Sequence, residues 1–242
     1  MLIFAGAGSG KTRALTYRIA HMVREKGIAP EHILAVTFTN KAANEMKERI
    51  TRLIGDDARR LWAGTFHSIC SRLLRRYGEE IGIAPNFVIY DEADQTALIK
   101  QAVSIADIDS QAYTPTRIRW AISSGKNELL DPQGYARARK GPFDEIVARV
   151  YSRYQQALRE NNALDFDDLL VKAVELLRSS PKVLAELQKR LRYVLVDEYQ
   201  DINYAQYELV KLLSAKERNI CVVGDDDGDL FLACHDMDTP FK

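Results

Sequence analysis

Cysteine is scarce in this chain, and what there is does not pair. Cys70, Cys221 and Cys234 are odd in number and show no Cys-x-x-Cys spacing. That argues against a disulfide framework and a zinc site, and favours a reducing compartment. No apolar run is long enough to span a bilayer. The opening Met-Leu-Ile-Phe-Ala-Gly has no basic n-region, so no secretory leader is expected either. Net charge is lacking too: 34 basic residues balance 34 acidic ones. Any affinity for nucleic acid must therefore come from a local basic face. The chain has no internal repeat and no low-complexity tract. What remains is an ordinary globular composition, 46% hydrophobic over 242 residues, enough for one large domain or one domain carrying an insertion. The expectation is a cytoplasmic protein with no membrane contact.

The most informative segment is residues 5–12, Ala-Gly-Ala-Gly-Ser-Gly-Lys-Thr, directly after the apolar Leu2-Ile3-Phe4. A strand that breaks into a glycine-rich loop ending in Lys-Thr has the layout of a P-loop. Its backbone N–H groups wrap a polyphosphate, Lys11 reaches the terminal phosphates and the Thr12 hydroxyl holds Mg²⁺. Gly6, Gly8 and Gly10, with Ala7 and Ser9 between them, form the cradle; a residue without Cβ lets backbone approach phosphate closely. The helix that follows adds its positive N-terminal end. Ala5 stands where the strict pattern has its first glycine.

Periodicity organises the rest. A helix is expected over 12–25, with Leu15, Ile19 and Met22 on one face. The run Ile33-Leu34-Ala35-Val36 reads as a parallel strand buried on both sides. A helix over 41–53, a strand over 62–66 and a helix over 67–80 continue a β-α-β pattern, which implies an α/β fold with a parallel sheet. From about 92 to 180 amphipathic helices dominate, at 95–105, 115–124, 144–161 and 166–177, and read as an all-helical insertion. Strand signals return at 193–196 and 219–223, and these late strands should rejoin the first sheet.

The strand Val194-Leu195-Val196 ends in Asp197 and Glu198. In P-loop enzymes such an Asp holds Mg²⁺ through water, and the adjacent acid orients or deprotonates the attacking water. A solvated acidic turn after a core strand is the competing reading; a P-loop in the same chain favours the catalytic one.

Further segments fall in a recognisable order. Residues 35–43 (Ala-Val-Thr-Phe-Thr-Asn-Lys-Ala-Ala) and 64–68 (Gly-Thr-Phe-His-Ser) each join a strand to a helix. Residues 164–170 (Leu-Asp-Phe-Asp-Asp-Leu-Leu) open a later helix, and 196–201 (Val-Asp-Glu-Tyr-Gln-Asp) complete the set. Together with residues 5–13 they closely resemble the UvrD/Rep/PcrA family of superfamily 1 DNA helicases, from residue 2 to about Asp227. The resemblance implies a RecA-like P-loop domain at 1–90 and 181–227, interrupted by the helical insertion at 91–180. It implies ATP and Mg²⁺ as cofactors, with Lys11 and Thr12 at phosphate and metal, Arg13 near the adenine, Asp197 on Mg²⁺, Glu198 activating water and Gln200 close to the γ-phosphate. It also implies a path for single-stranded DNA lined by Thr37, Phe38, Asn40, Thr65, Phe66 and His67, and a monomeric 3′→5′ motor. Read without the resemblance, Phe38 and Phe66 are core aromatics and His67 a helix-start or core histidine.

Other features take structural readings. Asp91-Glu92-Ala93-Asp94 spells the acidic box of a different helicase class, but Asp91 fits better as a helix N-cap with Asp94 in the first turn. Asp165 likewise reads as an N-cap, with Asp167 and Asp168 as first-turn acids rather than a metal cluster. Trp62 and Trp120 read as packing residues. Lys47, Arg49, Arg52, Arg72, Arg75 and Arg76 alternate with acids and read as solvated helix faces.

Two departures from the family bear on activity. The chain starts on its first strand, whereas family members carry an upstream segment with a glutamine that reads adenine. After Asp227, residues 228–242 replace the usual Gln-Ser-Ile-Tyr and its aromatic/arginine stretch. A frameshift, a truncated reading frame or a cloning junction is the expectation there. The alternative function is a catalytically inactive nucleotide- or single-stranded-DNA-binding fragment.

Overall fold

The computed structural model describes residues 1–4, 10–106, 108 and 113–225. The expected cradle at 6–9 and the expected break after Asp227 lie outside these residues. The chain divides into two compact units. The first comprises Met1–Ile69, Ser180–Ile202 and the described residues from 206 onward; the second comprises Cys70–Ser179 and Asn203–Ala205. The division thus falls at Cys70, earlier than the expected 91, because the chain leaves the first unit within a helix.

The first unit is a five-stranded parallel sheet. Its strands are β1 (Leu2–Phe4), β2 (Ile33–Thr37), β3 (Trp62–Thr65), β6 (Tyr193–Val196) and β7 (Ile220–Gly224), in spatial order β1-β7-β6-β2-β3. Both late strands rejoin the first sheet, as the returning strand signal predicts. All five residues of β2 are buried, the mark of a parallel strand covered on both faces. Between β1 and β2 runs α1 (Lys11–Arg24), and between β2 and β3 runs α2 (Asn40–Ile54). Leu15, Ile19 and Met22 of α1 and Met46 and Ile50 of α2 form one core with Ile33, Ala35, Leu195 and Val223. Each of the Leu, Ile, Met and Val side chains among these contributes about 1.5–3 kcal/mol on burial. Thr39 caps α2 by accepting from the Ala42 N–H at 3.1 Å. On the surface of α2, Arg49 and Arg52 pair with Glu45 and Glu48 at i,i+4 spacing, as a solvated face predicts.

The second unit is mostly helical: α4 (Glu92–Ile105), α5 (Pro115–Asn127), α6 (Pro132–Ala138), α7 (Pro142–Glu160) and α8 (Phe166–Ser179), with the later part of α3 (Phe66–Tyr77). It is not all-helical. β4 (Val88–Tyr90) pairs in parallel with β5 (Ala163–Asp165). A three-residue strand is too short to display an alternating pattern, so β5 left no sequence signal. Asp91 and Asp94 form a complete capping box on α4.

Two local expectations are corrected. Trp120 is 65% exposed, because α5 buries Ile118, Ile122, Gly125 and Lys126 and the indole falls off that stripe. Arg75 is not merely solvated: it donates to the Pro85 carbonyl at 2.7 Å and lies over the Phe87 ring.

The least expected feature of this unit is Lys126, fully buried between Asp165 at 2.6 Å and Asp168 at 2.8 Å. Tyr154 donates to the same Asp165 oxygen at 2.8 Å, and Gln155 donates to Asp168 at 3.2 Å. Asp165 also accepts from the Asp168 N–H at 2.8 Å, so it does cap α8 as expected. Burial opposes the Lys126 charge, but the two carboxylates outweigh burial and hold its pKa above the ordinary lysine range.

Candidate nucleotide and nucleic-acid site

Every described candidate residue lies in the first unit, and they gather along one edge of its sheet. Parallel register aligns the strand ends: Thr37 sits opposite Thr65, Val36 opposite Val196, and Val196 opposite Val222. The residues that follow these strands therefore emerge together at the carboxyl edge, where open α/β sheets bind their ligands.

Gly10 precedes α1 with φ +90°, a backbone region that side chains with a Cβ rarely adopt. It turns the chain so that Lys11 and Thr12 open the helix pointing at the sheet edge. The Thr12 hydroxyl donates to Asp197 Oδ2 at 2.7 Å, across 185 positions of sequence. Asp197 continues β6, its N–H donating to the Val36 carbonyl at 2.9 Å, and is almost fully buried. Burial pushes its carboxyl above the usual range, the Thr12 bond opposes that shift, and the neighbouring Glu198 charge adds to it.

Lys11, itself 7% exposed, lies 3.3 Å from Glu198 Oε2 and is hydrogen-bonded to Asp225 at the end of β7. Burial pulls its pKa down, yet the two carboxylates together leave it raised. Glu198 has φ +51°, a left-handed conformation that costs about 1–3 kcal/mol in a residue with a Cβ. The short 3₁₀ turn Tyr199–Asp201 follows. It brings Gln200 back so that its Nε2 donates to Glu198 Oε2 at 2.8 Å and its Oε1 accepts from the Asp225 N–H at 3.2 Å. Arg13 is exposed, its guanidinium 5.4 Å from the Tyr17 ring centroid.

Thr12 and Asp197 offer only hard oxygen donors, and the described residues contain no cluster of three His, Cys, Asp or Glu side chains fit for a metal. That donor set fits a Mg²⁺-like ion held by one or two protein oxygens together with water and phosphate. A divalent cation held by these oxygens would favour the charged form of the Asp197 carboxyl and so offset the effect of burial.

At the ends of β2 and β3 the candidates separate by burial. Phe38 is 46% exposed and Asn40 is exposed, whereas Phe66 is 2% exposed and sits in the core. Thr65 accepts from the Ser68 N–H at 3.2 Å, and Ser68 donates to the Thr65 carbonyl at 2.8 Å. Gly64 permits this turn, since a Cβ there would lie 2.4 Å from Ser68 Oγ. Thr37 is buried, and its hydroxyl has no hydrogen-bond partner among the described residues. His67 is half-buried, and burial lowers its pKa. The strand ends thus bring all six residues to one edge but expose the Phe38 ring and enclose that of Phe66.

Asp225 is the site residue that sequence reading left without a role. A signal existed: Val222-Val223-Gly224-Asp225 repeats the apolar-strand-then-acid pattern of Val194–Asp197.

Comparison with known proteins identifies the family. A family model described as the UvrD/REP helicase N-terminal domain matches residues 1–231, a few residues past Asp227. The chain is 50% identical over 231 residues to the ATP-dependent DNA helicase PcrA of Staphylococcus aureus (strain NCTC 8325 / PS 47), covering 96% of this chain and 32% of that protein. PcrA of Leuconostoc citreum and PcrA of Bacillus subtilis (strain 168) are each 48% identical over 96% of this chain and 31% of their own length. The chain therefore spans about a third of the curated relatives it matches. Among the described residues no helix is long and apolar enough to cross a membrane. With its family match running over nearly the whole sequence, this chain belongs to the UvrD/REP helicase family as an N-terminal domain.

Proposed function

We propose that this chain is the nucleotide-binding motor portion of an ATP-dependent 3′→5′ DNA helicase, coupling ATP hydrolysis to movement on single-stranded DNA. The observation that carries this reading is the 2.7 Å bond between Thr12 and Asp197, which joins the start of the phosphate helix to the acidic strand end. Lys11, with the backbone of residues 6–10, holds the terminal phosphates, and Thr12 and Asp197 are the residues that would hold Mg²⁺. When bound, Mg²⁺ neutralises charge on the phosphate oxygens. Glu198 orients the attacking water and accepts its proton, while Gln200 fixes the direction of the Glu198 carboxylate and faces the γ-phosphate. Arg13 lies toward the adenine.

Phe38 supplies a stacking face for a base, with Thr37, Asn40, Thr65 and His67 beside the phosphates. Phe66 serves that edge from within the core, by fixing the β3–α3 turn. The protein acts as a monomer in the cytoplasm.

Arginines supplied across the nucleotide in related phosphoryl transfer are worth about 10³–10⁵ in rate, and the described residues around Lys11 bring none to the site. The 242 residues alone are therefore expected to bind Mg²⁺-nucleotide weakly and to hydrolyse it negligibly. Steady-state ATP hydrolysis with and without single-stranded DNA tests this, and vigorous DNA-stimulated turnover by this chain would contradict it.

A further inference from the structure

The network around Lys11 assigns a task to Asp225 that neither phosphate binding nor water activation requires. Lys11 is buried at the start of α1, and its ammonium is shared between Glu198 and Asp225. Gln200 grips both partners, donating to the Glu198 carboxylate and accepting from the backbone of Asp225. The ends of β6 and β7 are thereby tied to one cation. A buried ammonium needs such partners, since an unpaired charge in this position is strongly unfavourable.

A polyphosphate seeks the same ammonium. Glu198 can release Lys11 without leaving the site, because Gln200 already holds its Oε2 at 2.8 Å. The Asp225 carboxylate has only Lys11 as a hydrogen-bond or ion-pair partner among the described residues. Phosphate arriving at Lys11 therefore meets Asp225 as a competitor for the ammonium and as a like charge beside it.

We infer that Asp225 is a positioning residue that stands in for phosphate. It holds Lys11 in the binding-competent place while the site is empty, and it is displaced when the terminal phosphates of a nucleotide take over the ammonium. This rests on the proposed nucleotide site and adds to it a built-in exchange. Phosphate arrival breaks a bond to the end of β7, and phosphate departure restores it. The trade lowers nucleotide affinity in return for an ordered empty site.

The test uses the whole chain with Mg²⁺-ADP and a non-hydrolysable ATP analogue, comparing wild type, Asp225→Asn and Asp225→Glu by calorimetric or fluorescence titration and by thermal unfolding. Asp225→Asn removes the competing charge and should bind the ATP analogue about tenfold more tightly, the scale of one charge-assisted hydrogen bond. Asp225→Glu should stay near wild type. Without ligand, Asp225→Asn should unfold at a lower temperature than wild type; with saturating Mg²⁺-nucleotide the difference should vanish. A purely structural Asp225 would lower both unfolding temperatures equally. In a Lys11→Ala background, Asp225→Asn should no longer destabilise the empty protein.

Unchanged or weaker nucleotide binding by folded Asp225→Asn overturns the inference while leaving the nucleotide site intact. Folded wild type that binds neither nucleotide overturns the site reading, and the inference falls with it.

Discussion

Thr12 and Asp197 stand 185 positions apart in the chain and meet in a 2.7 Å hydrogen bond at the carboxyl edge of the sheet. The first opens a helix and the second ends a strand, so the bond forms only when β6 is inserted beside β2 in the correct register. It also opposes the burial that pushes the Asp197 carboxyl upward. Removing the hydroxyl takes away one of two oxygen donors proposed for Mg²⁺. Thr12→Ala is expected to lower nucleotide affinity in Mg²⁺ by about tenfold while barely changing the weak affinity in EDTA. Titrations under both conditions check this; equal loss in both would show that the hydroxyl serves folding alone.

Phe38 and Phe66 occupy equivalent strand ends but opposite environments, 46% and 2% exposed. Phe38→Ala should leave the unfolding midpoint unchanged and weaken binding to single-stranded DNA by about 1–3 kcal/mol, the scale of one stacked base. Phe66→Ala should cost about 3–5 kcal/mol of stability. DNA binding itself should be weak and show a shallow salt slope, because one domain edge neutralises few phosphates. Denaturant unfolding and fluorescence anisotropy separate the two effects. If Phe38→Ala bound DNA as wild type does, the proposed strand path would be wrong.

The same contrast shows what could be read in the sequence. β2 was legible because a run buried on both faces is apolar throughout. Thr12 and Asp197, which meet at 2.7 Å, each stand out by local spacing, one after a glycine-rich run and the other after an apolar strand. Lys126 does not: on α5 it looks like any solvent-facing lysine, and its partner Asp165 lies 39 positions away. Asp225 was missed for the same reason, since it reaches Lys11 across 214 positions. Trp120 was assigned to the interior by residue type, whereas the helical stripe of α5 turns it outward. Long-range pairing hides Lys126 and the Lys11–Asp225 contact, whereas Trp120 is decided by the local helical stripe.

Lys126 neutralises two buried carboxylates at once. Lys126→Met should destabilise the chain by about 3–5 kcal/mol at pH 7, because Asp165 and Asp168 lose their common cation. Adding Asp168→Asn should recover part of that loss. Urea unfolding of the two variants measures it, and a neutral effect of Lys126→Met would contradict a stabilising role for this buried ion pair.

Asp167 gives a dependence on pH. Burial, with the nearby Asp165 charge, pushes its pKa from 3.8 to about 6, while a bond from Ser123 opposes the shift. The folded state therefore holds this proton more tightly than the unfolded chain does. The group favours folding below about pH 4 and loses that contribution as pH rises to 6. Asp167→Asn should thus stabilise the protein at pH 7 by about 1–2 kcal/mol and have little effect near pH 4. Unfolding curves at the two pH values decide this; a gain of equal size at both would exclude titration of Asp167 as its source.

Lys11, Thr12, Asp197 and Glu198 are proposed to form a nucleotide site in the first unit. Its most direct test is titration of the folded chain with Mg²⁺-nucleotide, beside Lys11→Ala of verified fold. Saturable, Mg²⁺-dependent binding is expected of the wild type, and Lys11→Ala should abolish it. Binding that survives Lys11→Ala unchanged, or a folded wild type that binds no nucleotide at millimolar concentration, would contradict it.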